Sequence, residues 1–204
     1  MKVLVVGASG LIGKAVVQDL ERDHQVIQAS HRRSKLSVDI RDEHSVQALF
    51  EAVRKVDAII ATTGSVHFGP LQTMRAEDFG QGLQDKLLGQ VRLALIGQHY
   101  LNEGGSITLT TGIISEEPIR DGSNAAAVNA GLEGFVRAAA PELPGRRINV
   151  VSPTVLTEAL EHYANSFPGF DSVPALKVAA AYRRSVEGIQ TGRVYRVGWV
   201  RDAR

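Results

Sequence analysis

The chain has 204 residues, the usual size of one domain, and this length can bury roughly 70% of the unfolded surface. Its 23 Lys and Arg residues balance 22 Asp and Glu residues, so the net charge of +1 gives no basic field for nucleic acid or an anionic membrane. The absence of Cys excludes a disulfide framework, a thiol nucleophile and a Cys-based zinc site. The six His residues are scattered, so no metal is expected. The opening apolar run is too short for a signal peptide and no stretch reaches the length of a membrane span, so we expect a cytoplasmic protein.

Strand-like and helix-like segments alternate along the chain, with no linker, repeat or low-complexity stretch. This alternation predicts an α/β fold in a single domain, a doubly wound, Rossmann-like parallel sheet with helices on both faces. We predict strands over residues 2–6, 25–29, 36–38, 57–61, 105–111, 147–152 and 193–199. Helices are predicted over residues 11–21, 43–54, 75–101, 124–140 and 174–187. The segment 155–170 follows the carboxyl end of a strand, where ligands bind in such sheets, and is a candidate substrate lid.

The N-terminal segment 3–14 predicts a dinucleotide-binding turn, because an apolar strand breaks into spaced glycines that lead into a helical pattern. Gly7 permits a tight strand exit, Gly10 lets the backbone approach a pyrophosphate, and Gly13 lets the helix lie against the sheet. The spacing is Gly-x-x-Gly-x-x-Gly rather than Gly-x-Gly-x-x-Gly, and a purely structural turn is the alternative. The cofactor contacts expected here are Gly7, Ser9, Gly10, Leu11, Ile12 and Gly13.

The segment 29–34 ends the second predicted strand, at the position where a dinucleotide fold recognises the adenine ribose. An NAD site places Asp or Glu here to bind the 2′-hydroxyl, and this segment contains neither. Ser30, Arg32 and Arg33 offer a hydroxyl and two guanidinium groups, which suit a 2′-phosphate through charge-assisted hydrogen bonds. The sequence therefore predicts NADP in preference to NAD, and a solvated basic loop is the alternative.

Four further segments resemble segments of the short-chain dehydrogenase/reductase family and follow one another in the family's order. The resemblance covers nearly the whole chain. Residues 38–40 are similar to the family's Asp-apolar pair, whose carboxylate meets the adenine amino group. Residues 57–64 are similar to the strand that ends in Asn-Asn-Ala-Gly, of which only Gly64 is kept. Residues 105–111 resemble the strand that delivers the catalytic Ser, and residues 148–153 resemble the strand that ends in Pro-Gly. The resemblance implies cofactor contacts at Asp39, Ile40, Ala61, Thr62, Gly64 and Pro153, and at the backbone amide of Val155.

The chain departs from the family at the catalytic residues. The family's reductive chemistry uses an Asn, a Ser and a Tyr-x-x-x-Lys pair, in which Tyr donates a proton and Lys lowers its pKa. Here Ala125 stands where the Tyr belongs and Asn129 stands where the Lys belongs. The Ser position falls on Gly112 or, with one residue of slack, on Thr111, whose hydroxyl can still polarise a carbonyl. Lys86 occupies the family's Asn position. Because Ala125 replaces the Tyr, the phenol donor is absent.

Lys86 and Asn129 are thus exchanged relative to the family pattern, which keeps an ammonium and an amide near the nicotinamide ribose. Loss of a general acid costs roughly 10²–10⁴ in rate but does not forbid hydride transfer, which belongs to the cofactor. Lys86 can serve as the donor if desolvation lowers its pKa, and an ordinary surface lysine is the alternative. Our candidate catalytic residues are therefore Lys86, Thr111 and Asn129, and His67 and Tyr163 are weaker candidate donors.

We expect an NADP-dependent oxidoreductase that reduces a small carbonyl compound with this altered apparatus. The alternative is a catalytically silent NADP(H)-binding protein that reports cofactor state to a partner. Sugar-nucleotide epimerisation needs a substrate domain, for which 204 residues leave little room, although the glycine spacing does resemble that of the extended relatives. The segments 75–101 and 125–140 correspond to the helices through which the family dimerises, so we expect a homodimer or homotetramer, without nucleic-acid or membrane partners.

Overall fold

Seven parallel strands form one sheet in a computed structural model that describes residues 1–32 and 34–200. The strands are β1 (Lys2–Val6), β2 (Gln25–Ser30), β3 (Leu36–Ser37), β4 (Val56–Ala61), β5 (Leu101–Thr110), β6 (Arg147–Pro153) and β7 (Val194–Val197). Their order across the sheet is β3-β2-β1-β4-β5-β6-β7. The strand order therefore reverses between β1 and β4, and ligands bind in the crevice at such a reversal.

Seven α-helices connect these strands within the described residues. They are α1 (Leu11–Leu20), α2 (Glu43–Val53), α3 (Ala76–Gly82), α4 (Leu88–Gly97), α5 (Ser123–Ala139), α6 (Leu160–Tyr163) and α7 (Ala175–Glu187). None of the helices in the described part of the chain has the length and apolar character needed to cross a membrane. The predicted doubly wound α/β fold is confirmed.

The long helix predicted over residues 75–101 is wrong in its interior and at its end. A π-helical turn, Leu83–Leu87, separates α3 from α4, and a 3₁₀ turn over Gln98–Tyr100 leads directly into β5. Strand β5 therefore begins at Leu101, four residues before the predicted start at 105. Hydrophobic periodicity does not reveal the inserted residue of a π-helical turn, because the apolar side chains on both sides still fit a helical period.

The core lies on both faces of the sheet. Along β1, Leu4 and Val6 are buried in the layer that also contains Phe50, whereas Val3 and Val5 are buried in the layer against α1 and α7. Because successive side chains of a strand point to opposite faces, a strand covered on both sides is apolar throughout. This double covering holds the carboxyl ends of β1, β4, β5 and β6 in fixed positions at one edge of the sheet.

A buried chain of hydroxyl groups links α7 to that edge. The Tyr182 hydroxyl lies 2.6 Å from Thr110 Oγ1, and Thr110 Oγ1 donates a hydrogen bond to the Ala61 carbonyl at 2.5 Å. The Tyr182 hydroxyl is therefore the donor to Thr110. Burial raises the pKa of Tyr182, which keeps its hydroxyl protonated. These hydrogen bonds thus connect the ends of β4 and β5 to α7.

We predict that Tyr182→Phe lowers the free energy of unfolding by about 1–2 kcal/mol, because it removes a buried hydrogen bond without changing the packed ring. Urea denaturation followed by circular dichroism measures this difference. Tyr163→Phe is the matched control, because the Tyr163 ring is 43% exposed and its change is expected to stay within about 0.5 kcal/mol. Equal stabilities of Tyr182→Phe and the native chain would contradict the assignment.

Candidate functional site

The glycine turn between β1 and α1 contains two glycines that the fold requires and one that it does not. Gly7 has φ +91°, and a Cβ there would lie 2.6 Å from the Thr62 carbonyl oxygen. A Cβ on Gly13 would lie 2.1 Å from the Gly7 carbonyl oxygen. A Cβ on Gly10 would meet the same oxygen at 3.4 Å, an ordinary contact. A purely structural turn therefore explains Gly7 and Gly13, whereas Gly10 keeps open the space above the start of α1.

A groove of about 500 Å³ runs from this turn to the ends of β2 and β4. The first amides of α1 lack intrahelical acceptors and receive no side-chain cap, and no acidic side chain lies in the first turn of that helix. Such a helix start favours an anion. The open space at Gly10 and the basic residue at the far end fit a dinucleotide. The residues that line the groove are Gly7, Ser9, Gly10, Ser30, His31, Arg32, Thr62, Thr63 and Gly64.

The ribose end of the groove is formed by Ser30 and Arg32. Ser30 is 3% exposed, and its hydroxyl donates a hydrogen bond to the Arg32 carbonyl at 2.5 Å. The hydroxyl therefore shapes the turn that presents the exposed Arg32 side chain. Arg33, the third residue predicted here, lies outside the described residues.

Asp39 forms an ion pair that the sequence does not predict. Arg41 Nη2 lies 2.7 Å from Asp39 Oδ2 and Arg41 Nε lies 3.0 Å from Oδ1, while His31 Nε2 lies 3.8 Å from Oδ2. Hydrogen bonds from Arg41 hold the pKa of Asp39 well below its usual range. Ile40 and Ala61 are buried, at 6% and 0% exposure. Asp39, Ile40 and Ala61 line neither the groove nor the cavity described next.

A second cavity, of about 160 Å³, brings the three candidate catalytic residues together. Lys86, Thr111 and Asn129 supply polar groups to it, and Pro153 and Val155 also line its wall. Sequence reasoning missed most of its apolar lining, which comes from loops beyond the strand ends. The apolar lining residues are Val66, Phe68, Ile113, Ile114, Ala125 and Phe167.

Lys86 and Asn129 are directly bonded. The Lys86 ammonium donates a hydrogen bond to Asn129 Oδ1 at 2.8 Å, and Asn129 Nδ2 lies 3.5 Å from the Gly112 carbonyl oxygen. Burial lowers the pKa of Lys86 from 10.5 to about 8. The bonded pair therefore presents a cationic donor whose proton is exchangeable near neutral pH.

The π-helical turn and Gly64 together determine where Lys86 lies. Gly64 has φ +110°, and a Cβ on it would lie 2.7 Å from the Lys86 Cα. The absence of a side chain thus lets the Lys86 backbone approach the end of β4. This contact gives a physical reason why Gly64 is the one residue of the family's Asn-Asn-Ala-Gly that this chain retains.

Two buried amides, which sequence reasoning did not identify, fix the surroundings of the turn. Asn124 is fully buried: its Oδ1 accepts a hydrogen bond from the His67 amide at 2.8 Å, and its Nδ2 donates to the Phe79 carbonyl at 2.6 Å. Gln90 is also fully buried and donates to the carbonyls of Thr63 and Thr110 at 3.1 and 3.0 Å. The available sequence signal was an amide whose neighbours three or four positions along the helix are apolar, Leu93 and Ala94 for Gln90 and Val128 for Asn124.

Thr111 lines the cavity, and its hydroxyl hydrogen-bonds to the buried carboxylate of Glu133. Thr111 Oγ1 lies 3.4 Å from Glu133 Oε1, and the Ser115 hydroxyl donates to the same carboxylate oxygen at 2.7 Å. Neither His67 nor Tyr163 lines the cavity. Across residues 1–32 and 34–200, no group of three or more His, Asp or Glu side chains is placed to hold a metal ion.

Comparison with known proteins identifies the class. Residues 8–195 match the family model described as enoyl-(acyl carrier protein) reductase. The chain is 31% identical over 180 residues to human 3-oxoacyl-[acyl-carrier-protein] reductase, covering 81% of this chain and 72% of that protein. It is 28% identical over 178 residues to the reductase MabA of Mycobacterium tuberculosis, covering 78% of this chain and 72% of MabA. The chain belongs to the short-chain dehydrogenase/reductase family, as the sequence resemblance predicted.

Solved structures agree with this assignment. The protein lin1944 from Listeria innocua superposes with a TM-score of 0.95 at 45% identity, over 97% of this chain and 99% of lin1944. A small-chain dehydrogenase in complex with NADPH superposes with a TM-score of 0.86 at 29% identity, over 97% of this chain and 96% of that protein.

We predict a pH-dependent stability difference between the native chain and Lys86→Met. Because the folded pKa of about 8 lies below that of an unfolded lysine, the unfolded chain binds more protons above pH 8, and native stability rises with pH up to about 10.5. Lys86→Met removes this dependence. The free energy of unfolding of the variant should therefore exceed that of the native chain by up to about 3 kcal/mol at pH 7, and this difference should shrink toward pH 10. Urea denaturation at several pH values measures it. Lys177→Met, at an exposed position on α7, should show no such trend, and a constant difference for Lys86→Met would contradict the prediction.

Proposed function

We propose that the protein is an NADP(H)-dependent oxidoreductase that interconverts a small carbonyl compound and its alcohol, with Lys86 in place of the family's Tyr as proton donor. The observation that carries this proposal is the 2.8 Å bond between Lys86 and Asn129 in the wall of a cavity near the dinucleotide groove. The exchanged pair thus keeps an ammonium and an amide in contact. The oxidoreductase family and the relative in complex with NADPH support the cofactor class.

Each part of the site has a separate task in this proposal. The start of α1 binds the pyrophosphate, and Pro153 and Val155 lie beside the nicotinamide position. The bound cofactor supplies the hydride. Lys86 Nζ holds a proton close to the position of the carbonyl oxygen, and Asn129 Oδ1 orients that nitrogen. The apolar lining excludes water, which strengthens the electrostatic effect of the ammonium on the carbonyl.

Arg32 carries the proposed preference for NADP. Its side chain lines the groove beside Ser30, in the position where an NAD site has a carboxylate. A guanidinium there forms charge-assisted hydrogen bonds with a 2′-phosphate and has no such partner in NAD.

Arg32→Ala should weaken NADPH binding by about tenfold or more, because a charge-assisted hydrogen bond contributes about 1.5–3 kcal/mol, and should leave NADH binding nearly unchanged. Calorimetric titration with both cofactors measures the two affinities. Arg22→Ala, which removes an exposed guanidinium on the loop after α1, is the control and should affect neither. Equal losses for NADPH and NADH in Arg32→Ala would show that the 2′-phosphate is not read here.

A second candidate function is a catalytically silent NADP(H)-binding protein. The observation that favours it is Ala125, which is 1% exposed and places a methyl group in the cavity lining where the family has a phenol. A silent protein would bind the dinucleotide but would not consume it with any carbonyl compound.

Lys86→Met should lower turnover by about 10²-fold or more at pH 7, because it removes the only donor that the proposal contains. In the native chain the rate should fall as the pH rises above about 8, since only the ammonium form donates a proton. Loss of NADPH absorbance with a panel of aldehydes and ketones measures both effects, and Lys177→Met should retain the native rate. Robust native turnover that Lys86→Met leaves intact would exclude Lys86 as the donor and direct attention to Thr111.

We also propose that the segment 155–170 acts as a substrate lid. It contains α6, and the Tyr163 ring on that helix lies 6.5 Å from the Phe68 ring, which belongs to the cavity lining. Phe167 of the same segment lines the cavity directly.

We further propose that the protein forms a homodimer or homotetramer through α4 and α5. Two leucines on α4 are exposed, Leu88 at 40% and Leu95 at 52%, and a partner subunit would cover them.

A further inference from the structure

Among residues 1–32 and 34–200, no carboxylate is paired with the charge of Lys86. Its bonded partner, Asn129 Oδ1, is a neutral amide, and within the described chain no carboxylate oxygen lies within 4 Å of Nζ. Most of the remaining cavity lining is apolar. A partly buried cation in such a place is unfavourable until an anion joins it, which is why desolvation lowers its pKa.

The other titratable groups on the elements around Lys86 do not supply that anion. Asp85, on the same π-helical turn, lines a separate cavity that also contains Arg41. Glu133 on α5 accepts the hydrogen bond from Ser115 and lies 3.7 Å from Arg137. His67 and Tyr163, on the flanking loops, do not line the Lys86 cavity.

We propose that the substrate of this site is a small 2-oxo acid, whose carboxylate and keto oxygen both accept hydrogen bonds from the Lys86 ammonium. This inference names the substrate class for the function proposed above, and its binding step does not require turnover. An ammonium has three N–H donors, one of which is taken by Asn129 Oδ1. In a 2-oxo acid a carboxylate oxygen and the keto oxygen lie side by side on adjacent carbons, so they match the two remaining donors. A simple ketone matches only one and leaves the charge uncompensated.

The size of the cavity limits the rest of the molecule. A cavity of about 150 Å³ is large enough for benzene, and the 160 Å³ here is comparable. Val66, Phe68 and Phe167 line it without offering a charge, so the acid should carry a short alkyl chain. The proposed substrates therefore include 2-oxobutanoate, whose ethyl group would meet this apolar lining.

The reaction balances with a reduced nicotinamide as the reductant. The keto carbon accepts the hydride and the π electron pair of the C=O bond moves to oxygen. That oxygen takes the proton from Lys86 Nζ, so the 2-oxo acid becomes a 2-hydroxy acid while the nicotinamide is oxidised. Lys86 then regains a proton from solvent.

The binding test uses oxamate, an unreactive mimic of a 2-oxo acid, and oxamide as its neutral counterpart, in calorimetric titrations of the protein with and without NADP. We expect oxamate to bind at least tenfold more tightly than oxamide. Its affinity should fall about tenfold from pH 7 to pH 9, because a pKa of about 8 leaves roughly a tenth of Lys86 protonated at pH 9. At pH 8, titrations in buffers of different ionisation enthalpy should show uptake of about half a proton.

Lys86→Met should lose both the preference for oxamate and the proton uptake. Lys86→Arg should retain the preference for the anion. Lys177→Met, the control, should behave as the native chain. Equal affinities for oxamate and oxamide in a native protein that binds NADPH would overturn the substrate class while leaving the proposed oxidoreductase intact. In the turnover arm, 2-oxobutanoate should give a kcat/KM at least tenfold above that of pentane-2,3-dione, which replaces the carboxylate oxygen by a methyl group. The reverse order would also overturn the inference, whereas failure to bind NADPH at all would overturn the proposed function itself.

Discussion

The close approach of the Lys86 backbone to Gly64 determines the position of the candidate active site. A side chain on Gly64 would overlap the Lys86 Cα, so the π-helical turn can lie against the end of β4 only because that residue is glycine. The wider π-helical turn then carries the Lys86 side chain toward α5, where Asn129 accepts its hydrogen bond. Gly64 also lines the groove, and Lys86 lines the second cavity, so the two cavities lie next to each other.

Buried amide groups maintain this arrangement because they join elements that hydrophobic packing alone would leave free to slide. Gln90 bonds to the ends of both β4 and β5, and Asn124 bonds to the loop after β4 and to α3. An unsatisfied buried amide costs about 1–3 kcal/mol, so any shift of the turn that broke these bonds would be opposed in proportion. The Lys86 ammonium is therefore held at a site where it is poorly solvated, and the rest of the fold sustains that unfavourable environment.

The sequence predicted the elements whose cause is local. The seven strands and the glycine turn follow from residue type and spacing. The π-helical turn, the early start of β5 and the ion pair between Asp39 and Arg41 were not predicted. The π-helical turn and the start of β5 depend on which elements pack together in three dimensions, and the linear pattern of apolar residues is the same with or without them. The ion pair joins residues two apart, and their charges alone do not show that the two side chains turn toward each other. Most of the apolar lining of the cavity was missed because it comes from separate segments beyond the strand ends.

In the proposed function, the proton donor is an ammonium and not the family's phenol, and this difference affects more than the proton transfer. A phenol is neutral when it is ready to donate, and the family's Lys serves to lower the pKa of that phenol. An ammonium is charged when it is ready to donate, and in a cavity with mostly apolar lining that charge favours a ligand that neutralises it. The methyl group of Ala125 adds to this effect, because it lines the cavity without offering a hydrogen bond that would solvate the cation. In the proposed function, the loss of the family's phenol at Ala125 and the ammonium at Lys86 together favour a substrate that carries a negative charge.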